Sequence, residues 1–206
     1  MKTYLIALLL VITTTIIHGQ ALESSAYGGY MFSGKAKFYD GEIDVKNGPV
    51  WGLTLGYDTG LGTQIQFLYN NTFTVTETIE YGSNINYHKF DLMIQHFHLG
   101  VEKSMAYDQL IRPFGSFGMG LTSYNPQSNE FNNQMRFSIG LGGGIKIFPT
   151  DRIGFKAQAK LFMPLLFNGA GIYCGTGGCG GGSSFRIPII HAELSGGVVF
   201  RLEKDE

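Results

Sequence analysis

Four histidines beyond the first twenty residues, His88, His96, His98 and His191, are the side chains best suited to move a proton or ligate a metal. His96 and His98 are two apart and share one face of an extended strand. Neither a nucleophile elbow nor an HExxH pattern accompanies them, and no Ser or Asp stands at a spacing that makes a constellation. A histidine in a strand is more often a hydrogen-bonded interior or interfacial residue than a catalyst. The glycine run at 140–144 lies inside an alternating segment with no helix after it, which excludes a phosphate loop. Asn70-Asn71-Thr72 matches a glycosylation acceptor but reads as a strand end. No catalytic, cofactor-binding or metal set is expected.

Two further groupings carry chemistry of another kind. Cys174 and Cys179, in IYCGTGGCGGGSS, close a six-residue ring. In an exported chain they are expected to form a disulfide, with a chain-entropy contribution of about 2 kcal/mol. A metal would need more ligands, and no His lies in that loop. Lys160 and Glu193 form the second grouping. If Arg152 and Arg201 mark flush ends of neighbouring strands, Lys160 falls opposite Glu193 and an ion pair is expected. Arg136, Lys146, Lys156, Gln64 and Gln66 are expected to complete an interior polar network with them. Its simplest role is structural, filling a narrow interior; a gate opened by breaking the pair is the alternative.

The strands that must position these groups are written in the alternation. In MRFSIGLGGGIKIF, residues Phe137, Ile139, Leu141, Ile145 and Ile147 share one parity. Arg136, Ser138, Gly140, Gly142, Gly144 and Lys146 share the other. Period two means a strand with one apolar face and one polar or small face. Its fourteen residues exceed the five or six of an average strand and suit a membrane-spanning one, which needs roughly nine to eleven. Seven more candidates appear at 26–33, 49–58, 62–72, 88–101, 111–123, 152–166 and 185–201. The candidate at 88–101 changes phase, which a bulge near Gln95 would explain. A tight turn through Asp58, Thr59 and Gly60 joins the second and third. Connections after the second and sixth are short and the one at 102–110 is moderate. Those at 34–48, 73–87, 124–134 and 167–184 are long and polar. Short turns at one end and long loops at the other are the mark of an outer-membrane barrel.

Residues 1–20 carry Lys2, an apolar run from about Leu5 to Ile17 and small residues at Gly19 and Ala21, the pattern of a secretory signal peptide. The run is too short for a spanning helix, which takes about 20 apolar residues. Residues 21–206 are then one barrel domain. A net charge of −1 gives no electrostatic case for nucleic acid. Gly is 30 of 206 residues, about double the usual 7%, and it falls inside strands, where a narrow interior has room for little else. Lys160 near the middle of its strand must face inward, because Lys facing lipid at mid-depth costs about 2–4 kcal/mol. Phe155, Leu161 and Met163 then face hydrocarbon. A soluble lipocalin-like carrier would reverse the faces and would carry more than 15% charged residues.

The whole mature chain resembles the small OmpA/OmpX-type outer-membrane barrels, and among them the β-barrel domain proteins common in Bacteroidetes-type bacteria. RPFGSFGMGLTSY and FSIGLGGGIKIF carry that resemblance. It departs from them at the end, where Phe200 is followed by six residues instead of closing the chain. The resemblance implies an eight-stranded antiparallel up-and-down transmembrane β-barrel in the bacterial outer membrane. It implies outer-membrane lipid and the assembly machinery as partners. Some barrels of this size modify lipid A with a His and a Ser on the lipid-facing wall or the surface rim. The expected role here is structural and surface-interacting. Four outer loops would carry it, with Tyr39, Tyr81, Asn84, Asn86, Asn129 and Asn132 meeting an extracellular ligand or envelope protein. A small pore and a lipid-modifying enzyme are the alternatives. If Cys174 and Cys179 are joined, alkylation of the purified protein will shift its mass only after reduction; two thiols free from the start would remove the disulfide.

Overall fold

The computed structural model describes residues 22–38, 41–80, 86–106, 109–128, 132–175, 178–187 and 189–202. For residues 36–38, 41, 79–80, 86–87 and 167–186 it describes the backbone only. The signal segment expected at 1–20 lies outside the described residues. Every regular element among them is a strand. Eight form the wall: β1 (Leu22–Phe32), β4 (Gly48–Gly60), β5 (Thr63–Glu80), β6 (Asn86–Ser104), β7 (Ile111–Pro126), β8 (Gln134–Ile147), β9 (Ile153–Pro164) and β12 (His191–Leu202). Each pairs antiparallel with the next, and β12 returns to pair with β1, which closes the barrel.

Two hairpins stand at the outer end. β2 (Lys35–Phe38) and β3 (Gly41–Val45) occupy the first long connection, and β10 (Leu166–Gly175) and β11 (Gly178–Arg186) occupy the last. Both regions were expected as loops. In the first, Glu42-Ile43-Asp44-Val45 alternates and β3 pairs with β5 from Thr76 to Glu80, beyond the reach of β4. Ion pairs fasten it there: Lys46 to Asp44 at 2.7 Å and to Glu77 at 2.9 Å, and Lys35 to Glu42 and Asp44 at 3.3 Å each. The hydrogen bond from Lys46 holds the Asp44 carboxyl below the usual carboxylate range.

Two local expectations are corrected. β6 carries no bulge: it pairs with β5 in one register from Thr63–Lys103 to Glu80–Asn86. The apparent phase change arises because the inward face itself changes, from Leu92 and Ile94 to His96, His98 and Glu102. The turn between β4 and β5 lies later than expected, at Leu61 and Gly62. Gly60, Leu61 and Gly62 all have positive φ there (97°, 55° and 73°), and glycine accepts that at little cost. The Asp58 carboxylate accepts a hydrogen bond from the Gly60 amide at 2.8 Å.

The faces follow the sequence parity. Leu53, Leu55, Phe67, Phe117, Phe155 and Leu161 point outward at 44–56% exposure, while Lys146, Glu102, Glu193, His96 and His191 are at most 1% exposed. A protein in water does the reverse. Hydrocarbon outside accounts for both halves of the pattern. Trp51 meets Tyr69 edge-on and Tyr69 lies tilted against Phe97, with ring centroids 5.6 and 5.1 Å apart, forming part of an aromatic girdle. Above Tyr69 the outward face mixes Phe73 with the polar Gln95, Asn125 and Glu77. Ala159→Arg, on the outward face near mid-belt, should destabilise the barrel in lipid vesicles by about 2–4 kcal/mol. Ala159→Leu should leave it nearly unchanged; equal losses in urea unfolding would contradict the face assignment.

Candidate functional site

The wall encloses a bore, and its inward side chains lie in tiers. At the inner end, Lys146 is ion-paired with both Glu23 and Glu102. Lys156 donates to Glu102 at 2.8 Å, Arg201 reaches Glu23 at 3.4 Å, and the Gln64 amide donates to Glu23 at 2.9 Å. Two inward phenylalanines seat the cations: Lys156 lies 4.5 Å from the Phe114 ring, and the Arg112 and Arg201 guanidinium groups each lie 4.6 Å from Phe148. Seven strands contribute, so this cluster ties the wall together across its diameter.

The next tier holds the pair expected from the register. Glu193 and Lys160 are opposite one another as anticipated. They do not form an ion pair. Glu193 instead accepts hydrogen bonds from Asn70 and from Ser195, both at 2.6 Å, and Gln158 supports Ser195 at 3.0 Å. The Lys160 ammonium, 5.9 Å from the Tyr27 ring centroid, has no hydrogen-bond partner. Short neutral donors reach Glu193 along the wall, and Lys160 extends elsewhere.

Three of the four histidines form the tier above. His96 bonds Thr122 at 2.7 Å, His98 bonds Ser138 at 2.8 Å, and the Thr122 hydroxyl donates to Ser138 at 2.8 Å. His191 bridges Ser33 at 2.9 Å and Tyr124 at 2.8 Å. Phe162 stacks on His96 with centroids 4.2 Å apart. The fold therefore brings His and Ser together where spacing showed no constellation, because the contacts cross from β6 to β8. These groups face the bore, not lipid, and no carboxylate bonds any of the three imidazoles. Among the described residues, no group of three or more His, Cys, Asp or Glu is placed to hold a metal ion. Met31, Val45, Val50, Leu92 and Ile94 form an apolar cluster at the outer end.

Of the expected network, Lys160, Glu193, Lys146, Lys156, Gln64 and Gln66 are all buried in the bore. Arg136 is not among them: it stands near the outer mouth and donates to Gln134 at 2.8 Å. Glu23, Glu102 and Arg201 were missing from that network, although Arg201 shares the parity of Glu193 in β12 and Glu102 that of His96 and His98 in β6. Cys174 and Cys179 are backbone partners across the β10–β11 hairpin, and their side chains lie outside the described residues.

The model of the outer membrane protein beta-barrel domain family matches residues 5–166. The chain belongs to that family. Its place is the bacterial outer membrane. Among solved structures it is similar to OprG of Pseudomonas aeruginosa at TM-score 0.61 and 12% identity, over 90% of this chain and 97% of that one. It is similar to the Neisserial surface protein NspA at 0.57 and 12%, over 89% and 99%. A third likeness is to Ail of Yersinia pestis, solved with the heparin analogue sucrose octasulfate, at 0.50 and 14%, over 88% and 99%. No curated protein matches the sequence. Identities this low carry the shared fold and nothing finer.

The inner tier depends most on Glu102, which serves two buried lysines. Removing one partner of a buried ion pair costs about 3–5 kcal/mol, because the other charge remains. Glu102→Ala should lower vesicle unfolding stability by that amount, and Arg136→Ala, near the mouth, by less than about 0.5 kcal/mol. A loss of under 1 kcal/mol for Glu102→Ala would show that the cluster is solvated.

Proposed function

We propose that this barrel is a structural and surface-interaction protein, with a closed bore as scaffold and the outer hairpins and loops as contact surface. The observation that carries the reading is the filling of the bore from end to end: an ionic tier, a Glu193 tier, a histidine tier and an apolar cluster. Eight strands leave an interior that side chains just fill. Its elaboration lies outside, where two hairpins rise from the rim. Residues 1–20 act as the export signal, outer-membrane lipid surrounds the belt, and the assembly machinery inserts the chain. A Cys174–Cys179 disulfide, across directly opposed backbone positions, would staple the tip of the last hairpin.

Loop charge narrows the kind of partner. The first connection balances Lys35, Lys37 and Lys46 against Asp40, Glu42 and Asp44, and the others add Glu77, Glu80 and Glu130 without Lys or Arg. Ail was solved with a polyanion; the loops of this chain carry no excess of cations, so a protein or uncharged glycan surface suits them better. To test the reading, cells displaying the barrel would be passed over immobilised matrix proteins and neutral glycans. Wild-type cells should be retained, and exchange of residues 34–48 or 167–184 for a short Gly-Ser turn should abolish retention while the heat-dependent gel shift of a folded barrel persists. In planar bilayers neither the wild type nor Glu193→Ala should carry steady current. Loops dispensable for every contact, with a current that appears in Glu193→Ala, would instead establish a gated pore.

A further inference from the structure

Each other cation buried in the bore has a carboxylate. Lys146 has Glu23 and Glu102, Lys156 has Glu102 and Arg201 has Glu23. Lys160 is 4% exposed and has none. The carboxylate opposite it, Glu193, is engaged by Asn70 and Ser195. An ammonium offers three donors and no acceptor, and burying one without counter-charge is costly.

Lys160 lines a cavity of about 20 Å³ in the bore, together with Gln66, Leu68, His98, Ser116 and Phe162. One water-sized sphere needs roughly 10–15 Å³, so the space suits a single small occupant. The polar groups around it match. Neither Gln66 nor Ser116 makes a side-chain hydrogen bond to another described residue, and each can donate one into the cavity. His98 spends Nε2 on Ser138, leaving Nδ1. The room is built by glycine: a Cβ at Gly142 would lie 2.8 Å from both the Lys160 Cγ and the Ser116 Oγ, and one at Gly140 would lie 2.8 Å from His98 Nδ1. An unpartnered lysine and neutral donors lining a volume this small fit a negatively charged acceptor of one atom. Oxyanions such as phosphate or sulfate are too large.

We propose that the bore holds one halide-sized monovalent anion against Lys160, with Gln66 and Ser116 as additional donors. The site is independent of the surface reading: it would give the barrel a bound counter-ion whether or not the loops contact a partner.

The test uses the full folded barrel in detergent micelles, dialysed into sodium gluconate and titrated with sodium bromide at constant ionic strength. The unfolding temperature, read by the folded-to-unfolded gel shift, should rise by a few degrees and saturate, as linkage to a ligand of the folded state requires. Lys160→Met should remove the response, and Gly142→Ala, which sets a methyl group against Lys160 and Ser116 from the neighbouring strand, should weaken it. Bromide-soaked crystals of the wild type should show an anomalous peak beside Lys160 Nζ, a measurement that does not depend on either variant folding. An unsaturable response, a response equal in Lys160→Met, or cavity density without anomalous signal would overturn the proposal and leave a neutral amine beside water. A peak at soaking concentration with no shift in solution would overturn it as well.

Discussion

Hydrocarbon on the outside of a narrow closed sheet leaves polar side chains one direction in which to point, and eight strands leave them little room when they get there. The bore is therefore crowded with the residues that a soluble protein displays on its surface. Lys146, Glu102, His96 and Glu193 are among its most buried side chains. Each must find a partner across the interior, so contacts form between strands far apart in sequence. Glu23 and Lys146, or Asn70 and Glu193, are separated by 123 residues and meet in the bore. The ionic tier is consequently a closure device for the barrel as much as a plug for its interior.

The wall was readable because the face of a strand residue depends only on its parity. Phe137, Ile139 and Leu141 point to lipid, and Ser138 and Lys146 point inward, as alternation alone requires. Register was readable too, since flush inner ends place Lys160 opposite Glu193. The partner of Lys160 was not, because backbone register says which side chains are neighbours, not which of several neighbours wins. Asn70 reaches Glu193 from β5, two strands beyond β1, and no pattern within β9 or β12 announces it.

Strand ends account for the remaining omissions. Glu102 was read as part of a turn, yet counting inward positions by twos from His96 and His98 leads through Gly100 to Glu102. Glu23 was read as lying before the first strand, yet Tyr27 and Ser25 lead back to it in the same way. Both strands run past the membrane-spanning minimum, and the extra turn of each carries a carboxylate on which the inner cluster depends. The phase change in β6 misled for a related reason. Its inner face crosses from the apolar outer cluster to the histidine and ionic tiers, so hydrophobicity changes sides while geometry does not.

A graded interior of this kind separates the demands on the two ends of the molecule. Charged pairs at the inner end hold the strands in one register with interactions that lipid cannot compete for. At the outer end, Val45 of β3 packs with Met31, Val50, Leu92 and Ile94, so the first hairpin is anchored by an apolar contact within the mouth as well as by Lys46 and Glu77 at the rim. Changes to exposed positions of that hairpin need not disturb the tiers below it, because the histidine layer and its hydroxyl partners lie between. The wall and the bore can thus stay constant while the surface that meets the environment varies, and this is the arrangement a contact protein requires of its scaffold.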